Sequence, residues 1–282
     1  MTQNSERTVV ELELTNKCNF KCIFCPREPF SKNIHYFDLN AYDKIVERVL
    51  ESGIGFLKLC GLGEPTLHPD FMDFLENSKG KIALTLTTNA STLHLFDIDY
   101  LLENIYEFVI SLHSLKKDTF EKITGVNQFD RVKANIDYLL EKNRKYNRII
   151  DFYTVVTSIN KDEIHLFKEY ENRVNHIISG CSNRAINGFA DHVIDDGSNK
   201  KYNRFSYIDS FNPVCGYAKA YSVIDSKGNY LVCSNDIFRR HVVGNIFENT
   251  IEEIQKKIIG MFYNHQNVEL CRYCDIYTKH NN

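Results

Sequence analysis

The chain has no run of about 18 apolar residues, so it offers no membrane-spanning helix. Its opening segment, MTQNSERTVV, is polar and lacks the apolar stretch of an export signal. Basic charge is not in excess: 34 Lys and Arg stand against 37 Asp and Glu, which argues against a general electrostatic field for nucleic acid. Internal repeats and low-complexity segments are absent too. What remains is an ordinary globular composition. Of the 282 residues, 43% are apolar and 12% aromatic, enough to bury the core of one large domain, or of one domain with a small appendage. A soluble, cytoplasmic protein is expected, with no nucleic-acid or membrane partner.

Cysteine is the exception to this plainness. There are nine, at 18, 22, 25, 60, 181, 215, 233, 271 and 274. A chain without an export signal is expected in a reducing compartment, where clustered cysteines hold metal more often than they form disulfides.

Short apolar runs alternate with amphipathic stretches over the first 180 residues. Strands are expected at Val9–Leu14, Phe56–Leu59, Ile82–Thr87, Phe108–Leu112, Ile149–Val156 and His176–Ser179. Helices are expected at Ala41–Leu50, Asp70–Asn77, Tyr100–Glu103, Phe129–Lys142 and Asp162–Tyr170. Repeated strand–helix alternation implies parallel strands joined by right-handed crossovers. The expectation is an α/β fold, a partial (β/α)6 TIM-like barrel over residues 1–180, with a doubly wound open sheet as the alternative. In both, functional residues gather in the loops that follow the strands. Those loops read NKCNFKCIFCP, GLGEPTLHP, TTNAS, SLHS, TSIN and SGCSN. Residues 181–212 read as a linker, and 213–282 as a small C-terminal α+β domain. Its strands Ala220–Ile224 and Tyr230–Cys233 flank the turn signal DSKGN, and a helix follows at Ile251–Ile259.

Cys18, Cys22 and Cys25 form C-x3-C-x2-C directly after the first strand. Three soft thiolates in one loop suit a [4Fe–4S] cluster with one iron left open. The alternative is a zinc loop completed by a distant ligand such as Cys60 or His35. The placement of this motif after the first strand of a (β/α) barrel resembles the radical S-adenosylmethionine (SAM) superfamily. In that family the open iron binds the amino and carboxylate groups of S-adenosylmethionine. One electron then cleaves the sulfonium bond, and a 5′-deoxyadenosyl radical abstracts hydrogen from substrate. The resemblance extends residue by residue. Phe24 matches the aromatic position near the adenine, and Gly63–Glu64–Pro65 the glycine-containing segment that binds the methionyl amine, with Leu62 where the family pattern has glycine. Thr88 and Asn89 match a Thr-Asn after the third strand. Ser111 and His113 fall where ribose or carboxylate is contacted, and Asn160 where a residue often lies near the nucleoside. Ser111, His113 and Asn160 are equally types that cap helices and turns.

Cys215, Cys233, Cys271 and Cys274 could together fill one metal site, zinc or iron–sulfur by ligand chemistry alone. Their pattern, C-x12-G-x4-C and later C-x2-C, is similar to the SPASM extension of radical SAM enzymes in its shortened, twitch form. The resemblance implies one fully ligated auxiliary [4Fe–4S] cluster, two clusters in all. It also implies a low-potential electron donor such as flavodoxin or ferredoxin. Of the two remaining cysteines, Cys60 ends the apolar strand FLKLC and reads as a small buried hydrophobe. Cys181 lies after the sixth strand, where a thiol could donate a hydrogen atom to a substrate radical.

Two reactions follow from the resemblance. One is dehydrogenation of a small polar metabolite, such as an amino-sugar or aminocyclitol alcohol, with the auxiliary cluster taking the second electron. The other is peptide modification: Cα epimerisation with Cys181 as hydrogen donor, or oxidative cross-linking. About a dozen residues precede the cysteine loop, too few for a leader-peptide domain, which favours the small molecule. Arg184, Asn187 and Asp191 could meet a polar substrate. A non-catalytic, zinc-stabilised binding protein is the alternative from another class.

Overall fold

The computed structural model describes residues 9–25, 27, 32–180, 215, 218, 220–263 and 270. They build one nine-stranded sheet in the order β6-β5-β4-β3-β2-β1-β7-β8-β9. The first six strands are β1 (Val9–Leu12), β2 (Phe56–Leu59), β3 (Ala83–Thr88), β4 (Ile105–Ser111), β5 (Ile149–Val156) and β6 (Asn175–Gly180). Each pairs in parallel with the next. Their order never reverses, so right-handed crossovers all lay their helices on one face. This is the winding of a partial barrel; a doubly wound sheet needs a reversal point.

The helices are α1 (Tyr42–Glu51), α2 (Phe71–Ser78), α3 (Ile98–Asn104), α4 (Lys117–Thr124), α5 (Phe129–Tyr146) and α6 (Ile251–Tyr263). Strand alternation sorts the two faces of the sheet. Val10, Leu12, Leu57, Leu59, Leu84, Leu86, Phe108, Ile110 and Phe152 are buried in the main core. In it Tyr42 of α1 reaches Ser78 of α2 through a 2.7 Å hydroxyl–hydroxyl hydrogen bond. The intervening residues Glu11, Lys58, Thr85, Glu107 and Asp151 occupy the opposite, concave face, where the barrel lumen lies.

Three features differ from the sequence expectation. The segment expected as a helix at Asp162–Tyr170 is a 3-10 stretch, Lys161–Tyr170. Helix α4 was not foreseen, because only Phe120 and Ile123 give it an apolar stripe; it stops at Gly125, whose φ of 68° closes the helix in a left-handed turn. Third, the C-terminal strands extend the barrel sheet. The expected hairpin forms β7 (Tyr221–Ile224) and β8 (Asn229–Leu231), antiparallel to each other, and β9 (Val242–Asn245) follows. But β7 lies parallel to β1, with Val9 opposite Tyr221 and Leu12 opposite Ile224.

Strand β1 therefore carries both halves of the molecule. Leu12 has no exposed surface. Leu12→Ala is expected to lower stability by about 2–5 kcal/mol, and chemical denaturation followed by circular dichroism measures it.

Candidate active site

The loops at the C-terminal ends of β1, β2 and β3 are bound to one another through Glu64. Its carboxylate is buried, and Oε1 accepts from the Thr66 hydroxyl at 2.7 Å, the Thr66 N–H at 3.3 Å and the Thr88 hydroxyl at 2.8 Å. Oε2 accepts from the Asn89 backbone N–H at 2.6 Å. Burial pushes the carboxyl above its ordinary range, and the hydrogen bonds from Asn89, Thr66 and Thr88 pull it back down. The Glu64 N–H itself donates to Lys17 O at 2.8 Å, at the root of the cysteine loop.

Gly63 allows this approach. A Cβ there would stand 2.0 Å from Thr15 O and 2.6 Å from Lys17 O. After β3, Asn89 continues the network, donating to Asn19 Oδ1 at 2.9 Å and lying 3.9 Å from Cys18 Sγ. Asn19 in turn donates to Ser91 at 2.8 Å. Ala90 sits between them with a φ of 60°. A non-glycine residue there costs about 1–3 kcal/mol of backbone strain; the Asn135 side chain, bonded to Ala90 O at 2.7 Å, helps hold the turn.

The other wall of the cysteine loop is α4. Lys21 and Ile23 donate their N–H groups to Thr124 O and Ile123 O, each at 2.9 Å. These are carbonyls that the end of a helix leaves unpaired. Gly125 is again close, with a Cβ position 2.9 Å from Lys21 O.

Cys18, Cys22 and Cys25 are each partly buried on this loop. Burial pushes the Cys18 thiol up to about 11 and Cys22 well above its usual value, with further repulsion from the neighbouring cysteines. As thiolates they call for nearby positive charge, which metal ions supply. The donor set of three thiols fits one thiolate at each of three irons of a cubane. A closed zinc site needs four ligands, and the loop supplies three. His35 is exposed, its backbone oxygen taken by the Thr15 hydroxyl at 2.7 Å.

Phe24 and His113 meet edge to face, 4.7 Å between centroids. Val155 and Tyr153 pack beside Phe24. His113 Nδ1 accepts the Val155 N–H at 3.2 Å, which places the ring proton on Nε2. Ser111, on the concave face at the end of β4, has no hydrogen-bond partner among the described residues for its hydroxyl. Asn160 is spent on protein. Its amide donates to His113 O at 2.6 Å and Val155 O at 2.9 Å, while Oδ1 accepts from Thr157 N at 2.7 Å. It ties the ends of β4 and β5 together.

Cys60 departs from expectation. The alternation that buries Leu57 and Leu59 turns Lys58 and Cys60 to the lumen, and Cys60 is partly buried beside Glu11 rather than packed as a hydrophobe. Sequence reasoning also missed Asn19, Ser91, Glu13 and α4; the glycine pair Gly61 and Gly63 was the signal that this loop lies tight against its neighbours. In the C-terminal part, Cys215 and Cys233 are partly buried against the main core. Cys181, Cys271, Cys274, Arg184, Asn187 and Asp191 lie outside the described residues.

Residues 12–170 match the radical SAM superfamily, more than half of the chain. The chain belongs to that superfamily. Residues 215–275 match SPASM, an iron–sulfur cluster-binding domain. This radical SAM enzyme therefore uses [4Fe–4S] clusters and S-adenosylmethionine. Curated relatives include a probable GTP 3′,8-cyclase of Saccharolobus solfataricus, 30% identical over 173 residues, covering 56% of each chain. A GTP 3′,8-cyclase of Haemophilus influenzae is 29% identical over 164 residues, covering 56% of this chain and 48% of the relative. The chain thus spans about half the length of the curated relatives it matches.

Solved structures share the fold. BtrN in complex with AdoMet and 2-DOIA aligns with a TM-score of 0.60 at 18% identity, over 95% of this chain and 93% of BtrN. Streptococcus suis SuiB bound to precursor peptide SuiA gives 0.65 at 18%, over 97% and 70%. The anSMEcpe structure with AdoMet and the Cp18Cys peptide gives 0.66 at 19%, over 95% and 86%. Among the described residues, no helix is long and apolar enough to cross a membrane.

Two predictions test this site. Gly63→Ala is expected to separate the 61–64 loop from the cysteine loop and to lower the iron bound on anaerobic reconstitution. The second concerns His113, whose ring is held down to about 3 by burial against an ordinary 6.5. The unfolded chain takes up a proton below pH 6.5 that the folded chain refuses, so the neutral ring's stabilisation is present above that pH and is lost as pH falls towards 3. The stability gap between wild type and His113→Gln is expected to shrink by about 2 kcal/mol from pH 7 to pH 5, as read by denaturant titrations.

Proposed function

We propose that the enzyme dehydrogenates a hydroxyl-bearing carbon of a small polar metabolite, of the amino-sugar or aminocyclitol kind. The observation that carries this reading is the likeness to BtrN, solved with 2-DOIA, over nearly the whole of both chains. The polar lumen, with Glu11, Lys58, Cys60 and Tyr221 on neighbouring strands, supports it, because a polyol needs hydrogen-bonding walls.

When bound, S-adenosylmethionine and its [4Fe–4S] cluster supply a carbon radical that abstracts a substrate hydrogen atom. Cys18, Cys22 and Cys25 would hold that cluster. Gly63, Thr88 and Asn89, with Glu64 beneath them, would fix the methionyl end, and Phe24, Ser111 and His113 would line the nucleoside end. His113 stays neutral here, its Nδ1 engaged by Val155, so it would bring no charge to the nucleoside end. Asn160 acts indirectly, by holding the His113 and Val155 carbonyls together. Loss of a hydrogen atom, a hydroxyl proton and one further electron leaves a carbonyl. The proton would pass to the polar lumen, and Cys215, Cys233, Cys271 and Cys274 would hold the auxiliary cluster, which would supply the acceptor for that electron. A flavodoxin or ferredoxin would supply the initiating electron.

A second reading has its own support. SuiB and anSMEcpe, both solved with peptides, align at TM-scores of 0.65 and 0.66. On that reading the substrate is a peptide, and Cys181 returns hydrogen to the opposite face of Cα, or a cross-link forms. The zinc-stabilised binding protein loses its ground with family membership.

Iron and sulfide content after anaerobic reconstitution tests the electron acceptor. Wild type is expected to bind about eight iron and Cys271→Ala/Cys274→Ala about four, as for two cubanes reduced to one. About four iron in both, with zinc in the wild type alone, removes the acceptor and turns the assignment to redox-neutral chemistry. Deuterium incorporation into peptides in D2O then reads epimerisation.

A further inference from the structure

The residue that follows the β1 strand, Glu13, is almost fully buried, yet its carboxylate has partners from two distant parts of the chain. Oε2 accepts the Leu62 N–H at 2.8 Å, inside the 61–64 loop. Oε1 accepts from Nη2 of Arg239 in a close ion pair. Gly61 is shaped around this carboxylate. Its φ is 151°, and a Cβ there would lie 2.6 Å from Glu13 Cγ and 2.8 Å from Oε2. The loop that carries Gly63 and Glu64 is thus seated on Glu13, and Glu13 is held by Arg239.

Arg239 is fixed in turn. Its Nε donates to Asp225 Oδ2 at 3.2 Å, and Nη1 donates to Ile237 O at 3.1 Å. Asp225 is buried at the β7–β8 turn, where Oδ1 also accepts the N–H groups of Lys227 and Asn229. The backbone places Arg239 through Asp236. The Asp236 N–H donates to Cys233 O at 3.1 Å, and the Arg239 N–H to Asp236 O at 2.9 Å. Asp236 Oδ1 and Oδ2 accept the N–H groups of Arg240 at 3.1 Å and His241 at 2.7 Å. Arg239 itself holds a φ of 53°, a conformation an arginine keeps only where its surroundings impose it. A continuous set of contacts therefore runs from Cys233 through Asp236, Arg239 and Glu13 to Leu62.

We propose that Arg239 is a positioning residue for S-adenosylmethionine: from the segment after Cys233 it holds, through Glu13, the loop that meets the methionyl group, so that the C-terminal iron–sulfur site and S-adenosylmethionine support each other's binding. The second half rests on the reading of Cys233 as a cluster ligand. The guanidinium suits the task because its planar fork serves two carboxylates at once, which an ammonium does less well. Coupling of this kind is reciprocal: what the C-terminal site gives to S-adenosylmethionine affinity, S-adenosylmethionine gives back.

The test uses the reconstituted protein with S-adenosylmethionine as the probe. Affinity is measured by equilibrium dialysis, alongside iron content and the electron paramagnetic resonance signal of the reduced protein with and without the probe. Arg239→Met is expected to weaken binding about tenfold, within the usual 5–150-fold range of coupling between sites, while iron content and circular dichroism stay as in wild type. Arg239→Lys should recover part of the loss. Cys233→Ala is expected to lose about four iron and to weaken S-adenosylmethionine in the wild-type background, but to add little in the Arg239→Met background. An unchanged affinity in Arg239→Met overturns the proposal, and additive losses overturn the coupling. Should Arg239→Met fail to fold, Glu13→Gln decides, since it keeps the side chain's shape and drops the ion pair. Full iron in Cys233→Ala would sink the reading of that cysteine, and with it the coupling half, while the Arg239→Met affinity still decides the positioning half.

Discussion

One buried carboxylate sets the shape of the cofactor end of the barrel. Glu64 lies where the loops after β1, β2 and β3 meet, and a charge in that position needs donors or it neutralises itself. The donors come from its own loop, from Thr88 and from Asn89, and its own N–H reaches Lys17. Satisfying Glu64 therefore fixes the spacing of three loops at once. The constraint propagates outwards. With the root of the cysteine loop held at Lys17, the rest of that loop is set against the end of α4, where two helix carbonyls receive it. Glycine is forced at 63 and closely packed at 125 because both contacts are backbone against backbone.

Much of this was legible in the sequence, and the reason is topological. Functional residues of a parallel α/β sheet gather after the strands, so finding the strands located the cysteine loop, GLGEP, TTNAS and SLHS without any tertiary information. The DSKGN turn announced the C-terminal hairpin, since Gly228 takes a φ of 80° there. Where reading failed, the decisive contact was distant. Arg239 and Glu13 are 226 residues apart, and nothing local marks either as the other's partner. Helix α4 was lost because its sequence, KDTFEKIT, is mostly polar and its anchor is the cysteine loop rather than a wide apolar face. The join between β7 and β1 was hidden because pairing of two strands leaves no signature in either alone. Cys60 was misread by treating FLKLC as an apolar run; the alternation L-K-L-C already separates a helix-facing pair from a lumen-facing pair.

That alternation has a consequence for the chemistry. Parallel strands buried on both faces usually read as continuous apolar runs; here the lumen face of several strands carries polar residues among the apolar ones. Glu11 is paired with Lys58 at 2.8 Å, Glu107 takes the Thr85 hydroxyl at 2.9 Å, and Asp151 takes the Asn175 amide at 2.8 Å. Glu13 and Asp225 share Arg239. Each lumen carboxylate named here is matched by a side chain on a neighbouring strand or on the segment that follows β8. A polar wall whose groups bind one another does not depend on water to be stable. Radical chemistry needs that property, because solvent in the lumen would compete for a reactive intermediate. On the proposed reading, a substrate would enter against groups already satisfied and be held by those left over, such as the remaining N–H groups of the Lys58 ammonium. Recognition then falls on how well a ligand's polar groups meet those few positions rather than on net charge.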